Sequence, residues 1–457
     1  MDKRFPIEDQ IAMLASALKG RVVTRGDADY DDARALLHGN FDFRPAAVIC
    51  AANAADVAAA INFARATGLA LAVRGGAHSG HGANDDGLTI DLKAINGIDI
   101  DVDARTVWAG GGLTAGEVTR AVEQHGLIVG FGDTASVGIG GLTTGGGIGY
   151  MARKYGLTID SLLAVEIVTA GGDILIADAD NHPDLFWAVR GGGGNFGVIT
   201  RFKFRLHPLP QFTGGPLVLP ARAEVVAKFV ALAEAAPEEL TAITYVMTAP
   251  PLPFLPEELH GKVVYMCMMA YAGAPDEAEK VLAPFRAIAT PYVDLVGPAP
   301  YSSLYAPEDR EFMKLMFSVR QRFVDRIGLD EAAKLVQKVE QSDAIFRVGE
   351  IRVLGGAFSR VPETATAFAH RNSRIMTAFV AAAPTMAEAL ANDHWAQSGI
   401  DAMAQGEDRV YVNFLTSDPA ERVRAAYPSA TWNKLRAIKR QYDPENLFRG
   451  NANIPPA

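Results

Sequence analysis

The chain has 457 residues and a formal net charge of −10, from 43 basic and 53 acidic side chains. This acidic balance argues against nucleic acid as the main partner, because binding nucleic acid requires a basic surface. No apolar run reaches the roughly 20 residues that a membrane span needs, and Met1–Pro6 does not begin a signal peptide. We therefore expect a cytoplasmic protein without membrane contact and with about two or three domains.

The two cysteines of the chain, Cys50 and Cys267, lie in apolar runs that are typical of strands. A free cysteine in such a run behaves as a small buried hydrophobic residue. We expect two buried thiols, with neither a disulfide nor a metal site.

Up to Leu206 the sequence alternates short apolar runs with amphipathic segments, which predicts alternating strands and helices. Asn53 and Gly68 mark the two ends of one helix, and Pro183 begins another. The predicted helices are Ile7–Leu18, Ala55–Ala66, Thr114–His125 and Asp184–Val189. The predicted strands are Ala47–Ala51, Leu69–Arg74, Leu88–Leu92, Ile98–Val102, Thr106–Ala109, Leu162–Thr169, Asp173–Ala177 and Val198–Leu206, and Gly171–Gly172 turns one hairpin.

The pattern changes at His207, where the sequence His-Pro-Leu-Pro follows the last of these strands. Helices and longer apolar strands then alternate, which predicts an antiparallel sheet with helices on one face. The predicted elements are the helices Ala223–Ala235, Asp276–Ala289 and Thr431–Tyr442 and the strands Thr241–Met247, Lys262–Tyr271, Phe346–Leu354, Arg374–Val380 and Arg409–Leu415. We expect one domain at 1–207, with its core from about 41, a substrate domain at 208–408, and a segment at 409–457 that returns to the first domain.

Three segments are unusually rich in glycine: Val73–Ser79, Gly138–Gly149 and Arg190–Gly197. Glycine lets backbone amides approach phosphate oxygens closely, so three such segments together indicate a long ligand that contains a diphosphate. For any one segment taken alone, an ordinary glycine loop is the favoured interpretation.

Two nucleotide-binding motifs are excluded by the context of these glycines. Gly192, Gly194 and Gly197 form a Gly-x-Gly-x-x-Gly pattern, but a helix precedes it and a strand follows it. A dinucleotide-binding Rossmann fold requires the opposite order. The segment Gly138–Gly149 lacks the Lys-Ser/Thr of a P-loop, which argues against nucleoside triphosphate hydrolysis.

In this order the three segments resemble the FAD-binding domain of the vanillyl-alcohol oxidase (PCMH-type) superfamily, specifically the berberine-bridge-enzyme-like oxidoreductases. Similar segments follow at Tyr155–Asp160, Phe186–Gly191, Asn195–Val198, Tyr411–Phe414 and Tyr442–Phe448. The resemblance spans about 44–453. It implies an α+β fold with FAD as cofactor, in which a PCMH-type FAD-binding domain of two subdomains joins a substrate domain whose antiparallel sheet is covered by helices.

Val73–Ser79 is similar to the family element Arg-x-Gly-Gly-His-Ser, with Ala77 in place of the second glycine. The resemblance implies that His78 is bonded covalently to the 8α-methyl carbon of the flavin, the alternative being a histidine that only completes a loop. Thr134 stands where bicovalent members carry cysteine, and Leu142 where plant members often carry histidine. The resemblance thus implies a single tether, as in the monocovalent branch.

The same resemblance implies a larger set of cofactor contacts. These residues are Arg74, Gly75, Gly76, Ala77, His78, Ser79, Thr134, Val137, Gly138, Gly141, Leu142, Gly145, Gly146, Gly149, Tyr150, Asn195, Gly197, Val198, Tyr411 and Asn413. Val137 falls at the family position that controls how oxygen reaches the flavin. A small residue there fits an oxidase that uses molecular oxygen.

Phe414 is a departure from the family with chemical consequences. Many members that oxidise alcohols or sugars carry a tyrosine there as general base, and phenylalanine cannot accept a proton. Our candidate substitute is Glu350, because strand alternation places it with Arg352 on one face, opposite Ile351. A solvated surface pair is the alternative interpretation. Tyr150 is a second candidate for the catalytic site, and Tyr265 or Tyr271 is a further aromatic candidate for the pocket wall. Core packing is the better interpretation of each of these tyrosines taken alone.

We therefore expect an FAD-dependent oxidase that takes hydride from a small alcohol, amine or phenol and reduces oxygen to hydrogen peroxide. A substrate that needs no base, such as a neutral amine, would also explain Phe414. The first alternative is a flavin-dependent enzyme that oxidises or cyclises a natural product. The second is a non-catalytic protein that binds flavin or another ligand.

Overall fold

The computed structural model of the chain describes residues 5–305, 308–415 and 419–457, and within these ranges the strands form four sheets. The first sheet has four strands, in the spatial order Arg21–Thr24, Ala47–Cys50, Leu88–Asp91 and Leu71–Arg74. The last three run parallel to one another. Parallel neighbours need a crossover connection, which the chain supplies with a helix.

That crossover helix, Ala54–Thr67, confirms the predicted helix between Asn53 and Gly68. It begins where Asn53 accepts a hydrogen bond from the amide of Asp56, and it ends at Gly68, whose φ of 78° is left-handed. Its buried face, including Ile61 and Phe63, packs with the sheet and with the helix Ile7–Ala17. The sheet thereby holds the end of Leu71–Arg74, and with it the glycine turn that follows, in a fixed place.

The second sheet has five antiparallel strands: Ile98–Asp101, Thr106–Gly110, Val198–Arg205, Leu162–Val168 and Ile174–Asp178, in this spatial order. The helix Ala115–Glu123 packs beside it and begins with a capping box in which Thr114 and Glu117 satisfy each other's backbone amides. The helix Pro183–Val189 precedes the third glycine segment and Val198–Arg205 follows it. The predicted helix–glycine–strand order is thus confirmed.

The segment Gly138–Gly149 contains a helix that the sequence did not indicate. Residues Ile139–Gly145 form it although three of the seven are glycine, a poor helix former. Ile139 and Leu142 are buried in the main core of this region, so tertiary packing outweighs local propensity. The remaining glycines of the segment run on as a loop.

The largest sheet has eight strands, which pair antiparallel. They are Phe212–Pro220, Leu240–Thr248, Val263–Ala272, Val293–Asp294, Gly297–Pro298, Met316–Val324, Phe346–Val353 and Ile375–Ala383. Four helices bury their apolar faces against one side of it: Ala223–Ala235, Pro275–Arg286, Leu329–Glu340 and Met386–Ala402. The other side faces the glycine segments. The α+β fold class predicted from the sequence is confirmed.

Shorter elements join these layers. They are the helices Tyr30–Arg34, Ala152–Tyr155, Arg310–Met313, Ala357–Arg360 and Ala420–Ala425, the paired strands Leu127–Ile128 and His207–Pro208, and the 3-10 turns Gly80–Gly82, Thr158–Asp160, Glu257–Leu259, Tyr301–Leu304 and Val412–Phe414. Both cysteines are free thiols, with Cys267 buried and Cys50 half-buried. Among the described residues, no helix combines the length and apolarity that crossing a bilayer requires.

The predicted strand Arg409–Leu415 is wrong, because this stretch contains the 3-10 turn Val412–Phe414. The side chains on either side of the turn hold it in place. The Tyr411 hydroxyl accepts a hydrogen bond from the amide of Gly147 at 2.8 Å, and Asn413 donates to the carbonyl of Leu142 at 2.9 Å. These long-range bonds favour a turn over the extended backbone that apolar alternation predicted.

The last helix, Ser429–Tyr442, returns the chain to the glycine segments. Lys439 is fully buried there and donates to the carboxylate of Asp443 and to the backbone carbonyls of Asn195 and Phe448. Removing one partner of such a buried pair leaves an uncompensated charge, so these contacts fix the end of the chain firmly. The domain limits 1–207, 208–408 and 409–457 remain our proposal for how these layers divide.

The buried ring of His370 makes the stability of this fold depend on pH. Its Nε2 lies 3.1 Å from the carbonyl oxygen of Ala425, and its ring lies 5.5 Å from that of Phe323. Burial lowers the pKa of His370 from 6.5 to about 4. Between these two values the unfolded chain binds more protons than the folded protein, so stability falls as the pH is lowered through that window.

We expect His370→Gln to remove this part of the acid sensitivity. On going from pH 7.5 to pH 5, the wild-type protein should lose about 2 kcal/mol more unfolding free energy than the variant. Urea unfolding followed by circular dichroism at both pH values measures the difference. The exposed His394, changed to glutamine, is the matched control. An equal loss in the wild type and His370→Gln would contradict the account.

Candidate active site

A cavity of about 800 Å³ lies between the glycine segments and the open side of the eight-stranded sheet. This volume is near the upper end of the range for small-molecule sites. One end of the cavity, which we call the glycine end, is formed by the turns Gly75–Ser79, Asp133–Gly138 and Gly193–Gly197. A second part of the cavity wall, which we call the sheet end, is formed by strand residues around Glu350.

At the glycine end, two loops lie backbone against backbone. A Cβ on Gly76 would fall 2.1 Å from the amide nitrogen of Gly138, and a Cβ on Gly138 would fall 2.3 Å from that of Gly76. Gly141 has open space where a Cβ would point. The two loops therefore touch at these two glycines, and the backbone beside this contact, together with Gly141, lines the cavity as a groove.

We expect Gly76→Ala to separate these two loops, because an added methyl group cannot occupy space that backbone already fills. Overpacking of this kind typically costs about 1–3 kcal/mol. The fraction of purified protein that retains flavin and its melting temperature should both fall. Gly97→Ala is the matched control, since no atom lies within 4 Å of a Cβ there. Full flavin content in Gly76→Ala would show that the groove tolerates displacement.

Ala77 adopts a φ of 60°, in the left-handed region that favours glycine. This conformation gives a physical reason for the second glycine of the family element. It also turns the chain so that His78 follows directly on the cavity wall. Ser79 then caps the short turn Gly80–Gly82 by accepting a hydrogen bond from the amide of His81 at 3.2 Å.

The ring of His78 is held between two groups. Its Nε2 lies 2.6 Å from the hydroxyl oxygen of Ser136, and its ring packs edge-on against that of His38, with centroids 5.9 Å apart. Burial, and then the charge of His38, lowers the pKa of His78 to about 4. At neutral pH the imidazole is therefore uncharged, which is the form with a nucleophilic ring nitrogen.

His38 was not singled out by the sequence analysis. It stands outside any helix or strand, and its own Nδ1 lies 3.2 Å from the carbonyl oxygen of Met313. No spacing or motif connects it with His78, since the two meet only through the tertiary fold. Ser136 could have been found, because it lies between Thr134 and Val137 in a segment that the resemblance already covered.

The structure brings most of the predicted cofactor residues together on the cavity wall. These are Arg74, Gly75, Gly76, Ala77, His78, Ser79, Thr134, Val137, Gly138, Gly141, Leu142, Tyr150, Asn195, Gly197, Val198 and Asn413. The other four, Gly145, Gly146, Gly149 and Tyr411, do not line the cavity. Gly145 instead packs against Asn413, where a Cβ would lie 1.9 Å from the amide oxygen.

Two of the lining residues have side chains that are already committed to the protein. The Arg74 guanidinium pairs with Asp91 and donates to the backbone carbonyls of Ala33 and Ala35. The side-chain amide of Asn195 donates to the backbone carbonyls of Gly192 and Ala452. Its oxygen accepts a hydrogen bond from the backbone amide of Ile454. These two residues therefore shape the loops, and the groups they offer to the cavity are backbone and aliphatic atoms.

At the sheet end, Glu350 and Arg352 lie on the face of the strand Phe346–Val353 that lines the cavity, while Ile351 belongs to the core beneath. The predicted register is thus confirmed, and the surface-pair interpretation is wrong, since Glu350 and Arg352 are only 6% and 5% exposed.

Arg352 joins two carboxylates. Its Nε pairs with Glu350, its Nη2 lies 2.7 Å from Oδ2 of Asp133, and its Nη1 donates to the carbonyl of Ile148 at 3.3 Å. Burial, reinforced by the negative charge of Asp133, raises the pKa of Glu350, although Arg352 opposes the shift. The sequence analysis missed Asp133, which reaches this pair from a loop 219 positions away.

Aromatic side chains complete the sheet end. The Arg352 guanidinium lies 5.4 Å from the ring centroid of Phe414, and Tyr150 is 4% exposed on the cavity wall. Burial, and then Asp133, raises the pKa of Tyr150. Tyr245, which the sequence analysis also missed, lies directly across the sheet from Glu350. Tyr265 and Tyr271 pack in the core, as expected.

The described residues hold no group of three or more His, Cys, Asp or Glu side chains that could bind a metal ion. Two family models match parts of the chain. Residues 45–178 match the model of the FAD binding domain, and residues 410–455 match the berberine and berberine-like model.

Relatives match almost the full length of the chain. An FAD-linked oxidoreductase of Bacillus subtilis, YgaK, is 29% identical over 97% of this chain and 98% of its own. The (R)-6-hydroxynicotine oxidase of Paenarthrobacter nicotinovorans is 29% identical over 96% and 97%. The crystal structure of 6-hydroxy-D-nicotine oxidase from Arthrobacter nicotinovorans superposes with a TM-score of 0.84, at 25% identity over 96% and 98% of the two chains. This chain is therefore an FAD-linked oxidoreductase, with an FAD binding domain at 45–178 and a berberine-like segment at 410–455.

Proposed function

We propose that this FAD-dependent enzyme holds its flavin covalently through His78, oxidises a small organic substrate at the sheet end of the cavity, and passes the electrons to molecular oxygen. The observation that carries the proposal is the cavity itself. One continuous space joins the glycine groove and His78 to the buried pair Glu350 and Arg352. A cofactor and a substrate placed in it would meet.

The glycine end fits FAD. The contact between Gly76 and Gly138 has no room for a Cβ, so the two loops lie close together there. Gly141 leaves open space on the cavity wall, which would let phosphate oxygens approach the backbone. The buried His78 is uncharged at neutral pH and lies on the cavity wall. Backbone amides and an imidazole are the groups that a covalently held diphosphate cofactor would use.

When bound, FAD supplies an acceptor for the hydride that leaves the substrate and a site where oxygen is reduced to hydrogen peroxide. The protein's own part in the attachment is to hold the His78 ring. Ser136 contacts Nε2 at 2.6 Å, and His38 packs against the ring face to edge. Thr134 offers a hydroxyl, which is a far weaker nucleophile than a cysteine thiolate, so we assign a single attachment.

Glu350 is the candidate general base. Burial raises its pKa above that of an ordinary carboxylate, which brings it closer to the range in which a base works well. Its ion pair with Arg352 favours the ionised form and fixes the carboxylate. Phe414 cannot take a proton, so it shapes the site while Glu350 receives the proton of the substrate.

The function is tested by measuring oxygen uptake and peroxide release together. A panel of small amines, alcohols and phenols is mixed with the enzyme, first without oxygen and then with it. We expect at least one compound to bleach the flavin without oxygen. With oxygen present, about one molecule of hydrogen peroxide should form for each molecule of oxygen consumed. Flavin that no compound bleaches, or electrons that reach an added dye but never oxygen, would contradict it.

Val137 provides a sharper test of the oxygen step. It is half-buried on the cavity wall, and a larger side chain would narrow the space there. We expect Val137→Leu to slow reoxidation of reduced enzyme at least about tenfold, which corresponds to a barrier higher by roughly 1.4 kcal/mol. Stopped-flow absorbance measures it.

The rate at which substrate reduces the flavin should be the same in Val137→Leu as in the wild type. Val137→Ala, which enlarges the same space, is the matched control and should reoxidise at least as fast as the wild type. If all three proteins reoxidise at one rate, Val137 has no part in oxygen access.

A further inference from the structure

Three charged side chains meet on the cavity wall, and we call them the ion triad: Asp133, Arg352 and Glu350. Arg352 stands in the middle, with its Nε paired to Glu350 and its Nη2 2.7 Å from Oδ2 of Asp133. The side chains of Arg352 and Glu350 are 6% and 7% exposed, and that of Asp133 is 20% exposed. Two negative charges therefore share one positive charge in a place largely removed from water.

A simple pair of Glu350 and Arg352 would be a poor base. A positive charge within about 4–6 Å favours the ionised form of a carboxyl group, so a carboxylate paired one-to-one with a guanidinium binds a proton weakly. General base catalysis works best with a base whose pKa lies near the working pH. The strand that carries Glu350 thus also carries, two residues on, a group that weakens it as a base.

Asp133 offsets this effect of Arg352. Burial raises the pKa of Glu350, Arg352 lowers it, and the negative charge of Asp133 raises it again. The phenol groups of Tyr150 and Tyr245 also lie near this carboxyl group. Burial raises the pKa of both phenols, so they stay uncharged at neutral pH. Asp133 is therefore the charge that balances the guanidinium beside Glu350.

Asp133 is held in place at both oxygens. Its Oδ1 accepts a hydrogen bond from the hydroxyl of Thr134 at 3.3 Å, and its Oδ2 faces Arg352. Arg352 also donates from Nη1 to the carbonyl of Ile148 at 3.3 Å, so the same guanidinium contacts the second glycine segment. Since Asp133 begins the loop Asp133–Gly138 of the glycine end, the ion triad joins that loop to the sheet end.

We infer that Asp133 is a positioning residue, which holds Arg352 and draws part of its positive charge away from Glu350, so that Glu350 can take the proton of the substrate. In that step a hydride passes from the substrate to the flavin and a proton to Glu350, so the product is the substrate less two hydrogen atoms. The inference rests on the proposed function and adds to it the group that keeps the base active. Neither the motifs nor the resemblance gave Asp133 a role.

The first measurement follows the proton of Glu350 and needs no substrate. A protonated carboxyl group has an infrared C=O stretching band that a carboxylate lacks, and the band of Glu350 is the one missing from Glu350→Gln. Difference spectra of the FAD-loaded enzyme are recorded across the acid and neutral pH range. We expect the band to appear at a lower pH in Asp133→Asn than in the wild type, because asparagine keeps the size of aspartate and removes its charge. Asp133→Glu, which keeps the charge, should restore the titration toward that of the wild type.

The second measurement is the rate of flavin reduction, in rapid mixing without oxygen, with the compound of the panel that bleaches the flavin fastest. In Asp133→Asn the fall in rate at low pH should move to lower pH. Well above that fall, the rate should be at least about threefold below that of the wild type, because a weaker base takes a proton less readily. A merely structural role would lower the rate equally at every pH.

The exposed Asp103→Asn is the matched control and should behave as the wild type in both measurements. Circular dichroism and flavin content show that each variant is folded and loaded. A shift to lower pH in both measurements, reversed in Asp133→Glu, supports the inference.

Four results overturn it. They are a Glu350 that does not titrate in the wild type, a titration that is unchanged in Asp133→Asn, a shifted titration with an unshifted rate profile, and a rate at least about 100-fold lower at every pH, which would make Asp133 itself the base. If the flavin is reduced while the titration of Glu350 does not move, the oxidase function stands and this inference is wrong. If the titration shifts but no compound reduces the flavin, the oxidase function fails and the effect of Asp133 on Glu350 stands.

Discussion

In the His78→Ala variant, we expect all flavin to be released when the protein is denatured, whereas wild-type protein keeps it. The reason is that His78 supplies an uncharged, nucleophilic ring at the glycine end of the cavity, with a pKa lowered to about 4 by burial. Denaturing gels viewed under ultraviolet light measure this, since a covalently attached flavin gives a fluorescent band. The band should be absent from the variant.

The native variant should still bind FAD, because the backbone groove at Gly76 and Gly138 does not depend on the imidazole. His81→Ala is the matched control, because it removes a different histidine from the cavity wall. This variant should keep the fluorescent band. A band that persists in His78→Ala but disappears in His81→Ala would mean that the attachment site has been assigned to the wrong residue.

For Glu350→Gln, we expect the rate of flavin reduction by substrate to fall at least about tenfold, because general base catalysis typically contributes 10²–10⁴-fold. Glutamine keeps the size of the side chain and removes its capacity to take a proton. Rapid mixing without oxygen measures the rate directly. Glu340→Gln, an exposed change of the same kind, should leave the rate unchanged.

The pH profile gives a second signature. A base acts only when ionised, so the wild-type reduction rate should fall as the pH drops below the raised pKa of Glu350. This fall in rate at low pH should be absent in Glu350→Gln. An increase in KM with little change in rate would show that Glu350 binds the substrate without serving as its base. If rate, KM and pH profile all stay unchanged, Glu350 takes no part in the reaction.

Much of the FAD-binding region could be predicted from the sequence, because its signals are local. Apolar periodicity indicated the strands on each side of the glycine segments, and the caps Asn53 and Gly68 marked the helix between two of them. Strand alternation placed Glu350 and Arg352 on the cavity face, which the structure confirms. In each case a few neighbouring residues decide the outcome.

The missed features depend on contacts between distant parts of the chain. Asp133 meets Arg352, and His38 meets His78, without any pattern in the sequence that connects the two segments. The glycine-rich helix Ile139–Gly145 forms through tertiary packing, against its own propensity. The stretch Arg409–Leu415 reads as a strand, yet long-range bonds to the glycine loops hold it in a turn.

The central claim is that the glycine loops present His78, and no other residue, to the flavin. The most direct measurement is a peptide map of wild-type enzyme, in which the tryptic digest is analysed by mass spectrometry for peptides that carry flavin. We predict that the peptide containing His78 carries one FAD and that the peptide containing Thr134 carries none. An unmodified His78 peptide, or flavin found on Thr134, would contradict the account.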